Sequence, residues 1–492
     1  MKKIFVVLII FAIILSASGC KNKKENLKNI SQNLTTYEIN LNINHETKQV
    51  NATQNVNFIN NTNCILKNLK FHLYPQFFKE GATKNVISNT KVNNAYPNGM
   101  SYAEFNVERV VVDNTEKSVV YEQEFNSILS VELNSSLTPN ESTNIYIEYN
   151  FTLPNCHHRF GYGENTINLA NFYPTLCVFE NGQFNTNGYN PNGDPFYSDI
   201  ANYSVNINMD KQYIVAGTGL KTNEKIESGN KIINFSAVAV RDFALVLSDK
   251  FQVIKKQLDN TNIEYYYFND LNAEQSLKAG VDAITTFSNK FGTYPYETFS
   301  IVQSDFVYGG MEYPNLIMIS EDIDNHTDYI NVIVHETAHQ WWYGLVGNDE
   351  FEFPWLDEAL TEFSTILFYD YNEGYELNHT QMINSSKENY SLFISVYEDV
   401  LGSIDTSMRA VNEYETEPEY TYCTYVKGVL MFESLYQLIG EKDFINSLQS
   451  YYESNKFKNA TPNDLIIAFE ETSKQNLQNF FNSWIKGKVV IR

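Results

Sequence analysis

Two hydrophobic periods and a length of 492 residues predict an α+β chain of more than one domain. The first half alternates with period two, as strands do. The second half carries apolar residues at helical spacing. The expected architecture is a β-rich N-terminal domain of antiparallel sheets, followed by a mostly helical domain with a small sheet.

The period-two region runs from about 35 to 257. Tyr37, Ile39, Leu41 and Ile43 alternate with polar residues, as do Ile145, Ile147, Tyr149 and Phe151, and then Val205, Ile207 and Met209. Clusters of Asn, Gly and Pro separate the runs, which is the pattern of many antiparallel strands. From 258 the character changes. Ile263 to Phe268 is a strand candidate, and Ala273 to Phe291 has helical spacing and stops at Gly292. Gly428 to Ile439 is amphipathic and stops at Gly440. Thr461-Pro462 opens a further helix, with the hydroxyl as cap and proline at the first position.

The N-terminus is read separately from the fold. Lys2 and Lys3 precede an apolar run, Ile4 to Leu15, and then small residues, the order of a secretory signal. Ala17-Ser18-Gly19-Cys20 resembles a bacterial lipobox, with Ala17 where Leu is commoner. The resemblance implies cleavage after residue 19, lipidation of Cys20, and an exported protein anchored to the outer face of the cell membrane. Residues 20–34, rich in Lys and Asn, read as a flexible tether. The mature chain keeps Cys64, Cys156, Cys177 and Cys423, too few for a disulfide scaffold; a Cys156–Cys177 pair is conceivable. A formal net charge of −24 excludes nucleic acid as a partner, because phosphate binding needs clustered Lys and Arg.

The chemistry is concentrated in His335-Glu336-Thr337-Ala338-His339. A helix turns about 100° per residue, so the two imidazoles project from one face, one turn apart. Imidazoles so placed can share one zinc ion, and Glu336 on the neighbouring face can serve as base toward a water. A catalytic zinc needs a third protein ligand. Gly344 and Gly347 let the chain turn back, and Pro354-Trp355-Leu356-Asp357-Glu358 opens a second helix with Glu358 as the candidate. Cys156-His157-His158 lacks helical ligand spacing and reads as loop or hairpin surface.

At these residues the chain resembles the aminopeptidase N family of gluzincin zinc peptidases. His335 to His339, then eighteen residues, then Glu358 within Trp355-Leu356-Asp357-Glu358 match that family's zinc signature. Gly309-Gly310-Met311-Glu312-Tyr313 looks like its Gly-Ala-Met-Glu-Asn motif, and Tyr425-Val426-Lys427-Gly428 like its Tyr-Glu-Lys-Gly segment. The resemblance implies a thermolysin-like catalytic domain over 258–492 and one Zn2+ held by His335, His339 and Glu358. Glu336 would be the base, Tyr425 the donor to the oxyanion, and Glu312 the partner of the substrate's ammonium. Gly309, Gly310 and Met311 would line the substrate backbone. The implied activity is removal of N-terminal residues from peptides that have a free N-terminus.

Three features depart from the family pattern. Tyr313 replaces Asn. The amine-binding residue expected from the β-domain has no secure position, Glu164 being the candidate. The chain after Glu358 is too short for the family's large C-terminal helical domain, so a short form is expected. An epoxide-hydrolase-type use of the same zinc, also found in that family, and a catalytically idle binding lipoprotein are the alternatives.

Overall fold

The structure is a computed structural model that describes residues 27–489 and Ile491. The signal segment, Cys20 and the start of the tether lie outside the described residues. Leu27–Ser31, in the remainder of the expected tether, is a short helix, and the Asn202 side-chain amide donates to its Ser31 carbonyl at 2.9 Å. Among the described residues no helix is long and apolar enough to cross a membrane.

The first domain is built on an eight-stranded sheet. Its order is Leu220–Glu227, Asn230–Val240, Ala201–Asp210, Thr36–Asn44, Gln49–Ile59, Ser142–Thr152, Glu104–Val112 and Thr115–Lys117. Neighbours are antiparallel except Thr36–Asn44 with Ala201–Asp210, which run parallel. The alternation seen in the sequence is what the sheet needs. Tyr37, Ile39, Leu41 and Ile43 face the core, while the outer face carries asparagines that bond strand to strand. Asn206 donates to Asn40 at 2.9 Å and Asn208 to Asn42 at 3.0 Å. Two four-stranded sheets and the two-stranded pair of Phe179–Glu180 with Gln183–Phe184 complete the domain.

The second domain has a mixed five-stranded sheet: Gln252–Leu258, Thr261–Tyr267, Thr298–Ser304, Leu316–Ser320 and, at the edge, Gly310–Met311. Gln252–Leu258 pairs along its whole length with Thr261–Tyr267 across a two-residue turn. The second sheet therefore begins at 252, ahead of the boundary at 257/258 that alternation alone suggests. No turn or linker signal marks the change of sheet: Gln252–Leu258 is largely exposed, and Thr261–Tyr267 begins with the same inward–outward alternation as the preceding strands. Around the sheet lie the helices Ala273–Lys290, His326–Ala338, Trp355–Tyr371, His379–Leu401, Lys427–Ile439, Glu441–Asn455, Pro462–Ser473 and Gln478–Ile485. Their predicted ends are realised. Thr461 accepts from the Asp464 amide at 3.4 Å, the Asp464 carboxylate accepts from the Thr461 amide at 2.8 Å, and Gly440 leaves its helix at φ 82°.

Two local expectations are corrected. Cys156 and His158 are buried rather than on the surface, with the imidazole edge-on to Phe78, Phe306 and Tyr308. The apolar pocket pushes that imidazole's pKa well down, keeping the ring neutral. Cys156 and Cys177 are separate free thiols, as are Cys64 and Cys423.

The domains are locked by Arg241. Its buried guanidinium donates to the Ser198 carbonyl of its own domain at 2.9 Å and reaches across to the Tyr343 carbonyl at 2.5 Å, the Lys458 carbonyl at 2.6 Å and Asn459. It lies against Gly347, where any Cβ would stand 2.0 Å from the guanidinium carbon. Arg241→Ala should strand these acceptors and lower stability by on the order of 3 kcal/mol or more. A drop in the thermal or urea midpoint is the readout, and an unchanged midpoint would remove Arg241 as the clamp.

Candidate active site

The helix His326–Ala338 forms because Asn325 caps it, accepting from the Thr327 amide at 2.8 Å, and because Tyr329, Ile333 and Val334 face the core. It ends at His339. The chain then reverses through Tyr343, whose φ of 146° is rare for a residue with a side chain, and Gly344. Trp355–Tyr371 starts after Pro354 and packs against the first helix. Trp342 Nε1 donates to Ser364 Oγ at 2.9 Å, fixing the two helices together.

That docking brings three donor atoms together. His335 Nε2 and His339 Nε2 are 3.2 Å apart, and Glu358 Oε2 lies 3.4 Å from the first and 3.2 Å from the second. Tetrahedral bonds of ~2.0–2.1 Å put ligand atoms roughly 3.3–3.4 Å apart. The triangle therefore has the size of one face of a zinc coordination sphere. The far side of each ring is also occupied. His335 Nδ1 meets Glu362 at 2.7 Å, and His339 Nδ1 meets the Trp342 carbonyl at 2.9 Å and Thr361 Oγ1 at 3.1 Å. Partners on Nδ1 leave Nε2 free to ligate. Glu358 Oε2 accepts no hydrogen bond among the described residues. Burial opposes charge on His339, but Glu312 and Glu358 outweigh it and push its pKa up to about 10. A bound cation would displace such protons.

Glu336 is buried one residue along, with Oε2 unpartnered among the described residues. Burial pushes its carboxyl up to about 7, against the pull of His335 and His339. Gly310 lies across from it: a Cβ there would come 2.3 Å from Glu336 Oε1. Gly310–Met311 is the edge strand of the sheet, antiparallel to Leu316–Ser320, and it presents Glu312 to the cleft. Glu312 is buried, and its Oε1 too lacks a partner. Tyr425 sits in the π-helical turn Tyr422–Val426 and donates to Glu358 Oε1 at 2.5 Å. Single π turns of this kind are frequent at functional sites.

These groups line one cavity of about 330 Å³. His335, Glu336, His339, Glu358, Gly309, Gly310, Glu312 and Tyr425 all reach it. Met311 is buried behind it, in the core. The β-domain supplies the opposite wall through Arg159, Tyr189, Asn190, Asn192 and Asp194. Glu164 is not in that wall; its exposed carboxylate stands 3.6 Å from Lys250. The carboxylate that the β-domain does bring is Asp194, ion-paired with Arg159 at 2.5 Å. Asp194 carries no local motif that would single it out. Glu362 was legible: it follows Glu358 by four residues, hence on the same helix face.

Two imidazoles and a glutamate from successive helices, beside a buried glutamate, have the geometry of a metal centre of the zinc peptidase type. Residues 275–484 match the Peptidase family M1 domain. Aminopeptidase M1-A of Oryza sativa subsp. japonica is 24% identical over 302 residues, which cover 58% of this chain and 34% of the rice protein. Aminopeptidase N of Streptomyces lividans is 24% identical over 213 residues, covering 41% of this chain and 24% of that one. The matches thus span about a third or less of these relatives' own length. An M1 zinc metallopeptidase of Deinococcus radiodurans, solved with a Tyr-Ser-Ala substrate, shares the fold. Its TM-score is 0.65 at 15% identity, over 93% of this chain and 95% of that one.

Glu362→Ala should leave the fold intact and weaken zinc binding by roughly 10–100-fold, because it removes the group that orients His335. Competition with a chelator measures this, and wild-type zinc affinity in the variant would exclude that role.

Proposed function

We propose that this chain is a zinc-dependent aminopeptidase, acting on peptides with a free N-terminus. The observation that carries the reading is Glu312: a buried, unpartnered carboxylate on an edge strand, in the same small cavity as the His335–His339–Glu358 triangle. A carboxylate there pairs with an ammonium and fixes the first peptide bond beside the metal ligands. The relatives named aminopeptidases and the substrate-bound M1 neighbour support the same reading.

Zinc held by the three ligands would polarise the scissile carbonyl and lower the pKa of a water. The remaining work falls to side chains of this chain. The peptide backbone adds along the exposed edge at Gly309 and Gly310, where no side chain blocks it. Glu312 holds the α-ammonium. Glu336 takes a proton from the attacking water and returns it to the leaving amine. Tyr425 exchanges its bond to Glu358 for one to the developing oxyanion, as a preorganised donor. The cavity walls exclude bulk water, which strengthens each of these contacts.

The two alternatives draw no support from the comparisons. A complete donor triangle with Glu336 beside it is also more than an idle binding module requires. The lipid anchor at Cys20 stands on the lipobox alone, and the intact mass of the mature chain, with or without acyl groups, decides it.

Glu336→Gln should keep one zinc per chain and lose about 10²–10⁴-fold in kcat on aminoacyl anilides. Normal turnover in that variant would exclude Glu336 as the base. Glu312→Ala should cost far more on free-amine substrates than on N-blocked ones. Equal losses on both would refute amine recognition by Glu312.

A further inference from the structure

Behind Glu312 the structure gathers negative charge that the peptidase reading does not use. Glu350 arrives from the turn after Gly347, and Asp357 from the first turn of Trp355–Tyr371. One carboxylate oxygen from each of Glu312, Glu350 and Asp357 lies within 4.8 Å of the other two. All three side chains are buried, at 3%, 2% and 2% exposure. Among the described residues, neither oxygen of Glu350 and not Oε1 of Glu312 accepts a hydrogen bond. Asp357 has one partner besides the backbone, the Asn348 amide at 3.3 Å.

Three converging carboxylates need a countercharge, and Arg159 and Arg241 act on Glu312 and Glu350 only from beyond ion-pair distance. No Lys or Arg among the described residues forms an ion pair with any of the three. Arg159 is committed to Asp194, and Arg241 to the interdomain carbonyls. His339 faces the group, but its Nε2 belongs to the zinc triangle. A substrate ammonium does not solve this, because only Glu312 of the three lines the cavity. Leaving such charges buried and unpaired is among the most costly arrangements a fold can contain.

We propose that Glu312, Glu350 and Asp357 form a second cation site, for a hard divalent ion, set behind the amine-binding carboxylate. An all-oxygen donor set selects hard ions, whereas the histidine-rich triangle beside it suits zinc. Ca2+–oxygen bonds of ~2.3–2.6 Å allow ligand oxygens to stand up to roughly 4.6–5.2 Å apart, a span that contains this cluster. A divalent ion leaves the three carboxylates one net negative charge, which the substrate's ammonium completes. Glu312 then bridges the two, with one oxygen on the ion and the other toward the cavity, so the ion is a positioning element for amine recognition. This use of Glu312 rests on the peptidase reading; the ion site itself does not.

The test uses the full chain, stripped with chelator, reloaded with one zinc and titrated with CaCl2. The expected result is one Ca2+ per chain beyond the zinc, by calorimetry and elemental analysis, with a rise of several degrees in the unfolding midpoint. Glu350→Gln should keep its zinc and lose at least tenfold in Ca2+ affinity. Crystals of wild type grown with MnCl2 should show an anomalous peak among the three carboxylates, which requires no variant to fold. Wild type that binds zinc alone, a Glu350→Gln chain with unchanged Ca2+ affinity, or crystals without that peak would overturn the proposal. An inactive protein that binds both ions would instead sink the peptidase reading and leave this site standing.

Discussion

Everything at the centre depends on how one helix stops and the next begins. His335 and His339 share a face by helix geometry, but they reach a common point with Glu358 only because the chain reverses within a few residues of His339. The left-handed φ of Tyr343, the closeness of Gly347 to Arg241, and the Trp342–Ser364 bond are the structural expressions of that reversal. The strain at Tyr343 is held from both sides: its carbonyl accepts from Arg241 and its hydroxyl donates to the buried Asp242. A donor triangle that matches a tetrahedral face to a few tenths of an ångström is the product.

The β-domain is more than a neighbour of this centre. It sends Arg241 under the reversal and places Arg159 and Asp194 across the cavity from the metal ligands. Its segment near Val86 closes the cavity at another point, where Ser88 and Thr90 both donate to Glu417, at 2.8 Å and 2.7 Å. Gly193 in the same wall touches Tyr420, leaving no room for a side chain. The cavity is therefore a product of both domains, and its small volume follows from their contact.

Much of this was legible from residue order. His335, His339 and Glu358, picked out by their spacing, stand in one cavity with Gly309, Gly310, Glu312 and Tyr425, picked out by the family resemblance. Strand alternation gave the β-domain its inward and outward faces, and capping residues marked helix ends. What was not legible lacked a local pattern. The hairpin from 252 to 267 follows its predecessors with no linker signal and joins the other sheet. Cys156-His157-His158 reads as polar surface, yet aromatic rings from distant segments cover His158.

Sequence alone determined which side chains are candidates for the chemistry, because helix periodicity and ligand spacing are short-range properties written into consecutive residues. Only the tertiary structure decided which residues face them. Asp194 opposite the donor triangle, and Glu350 with Asp357 behind Glu312, are brought there by the packing of separate segments. No local rule encodes such meetings, since they arise when distant parts of the chain bury their apolar faces against each other.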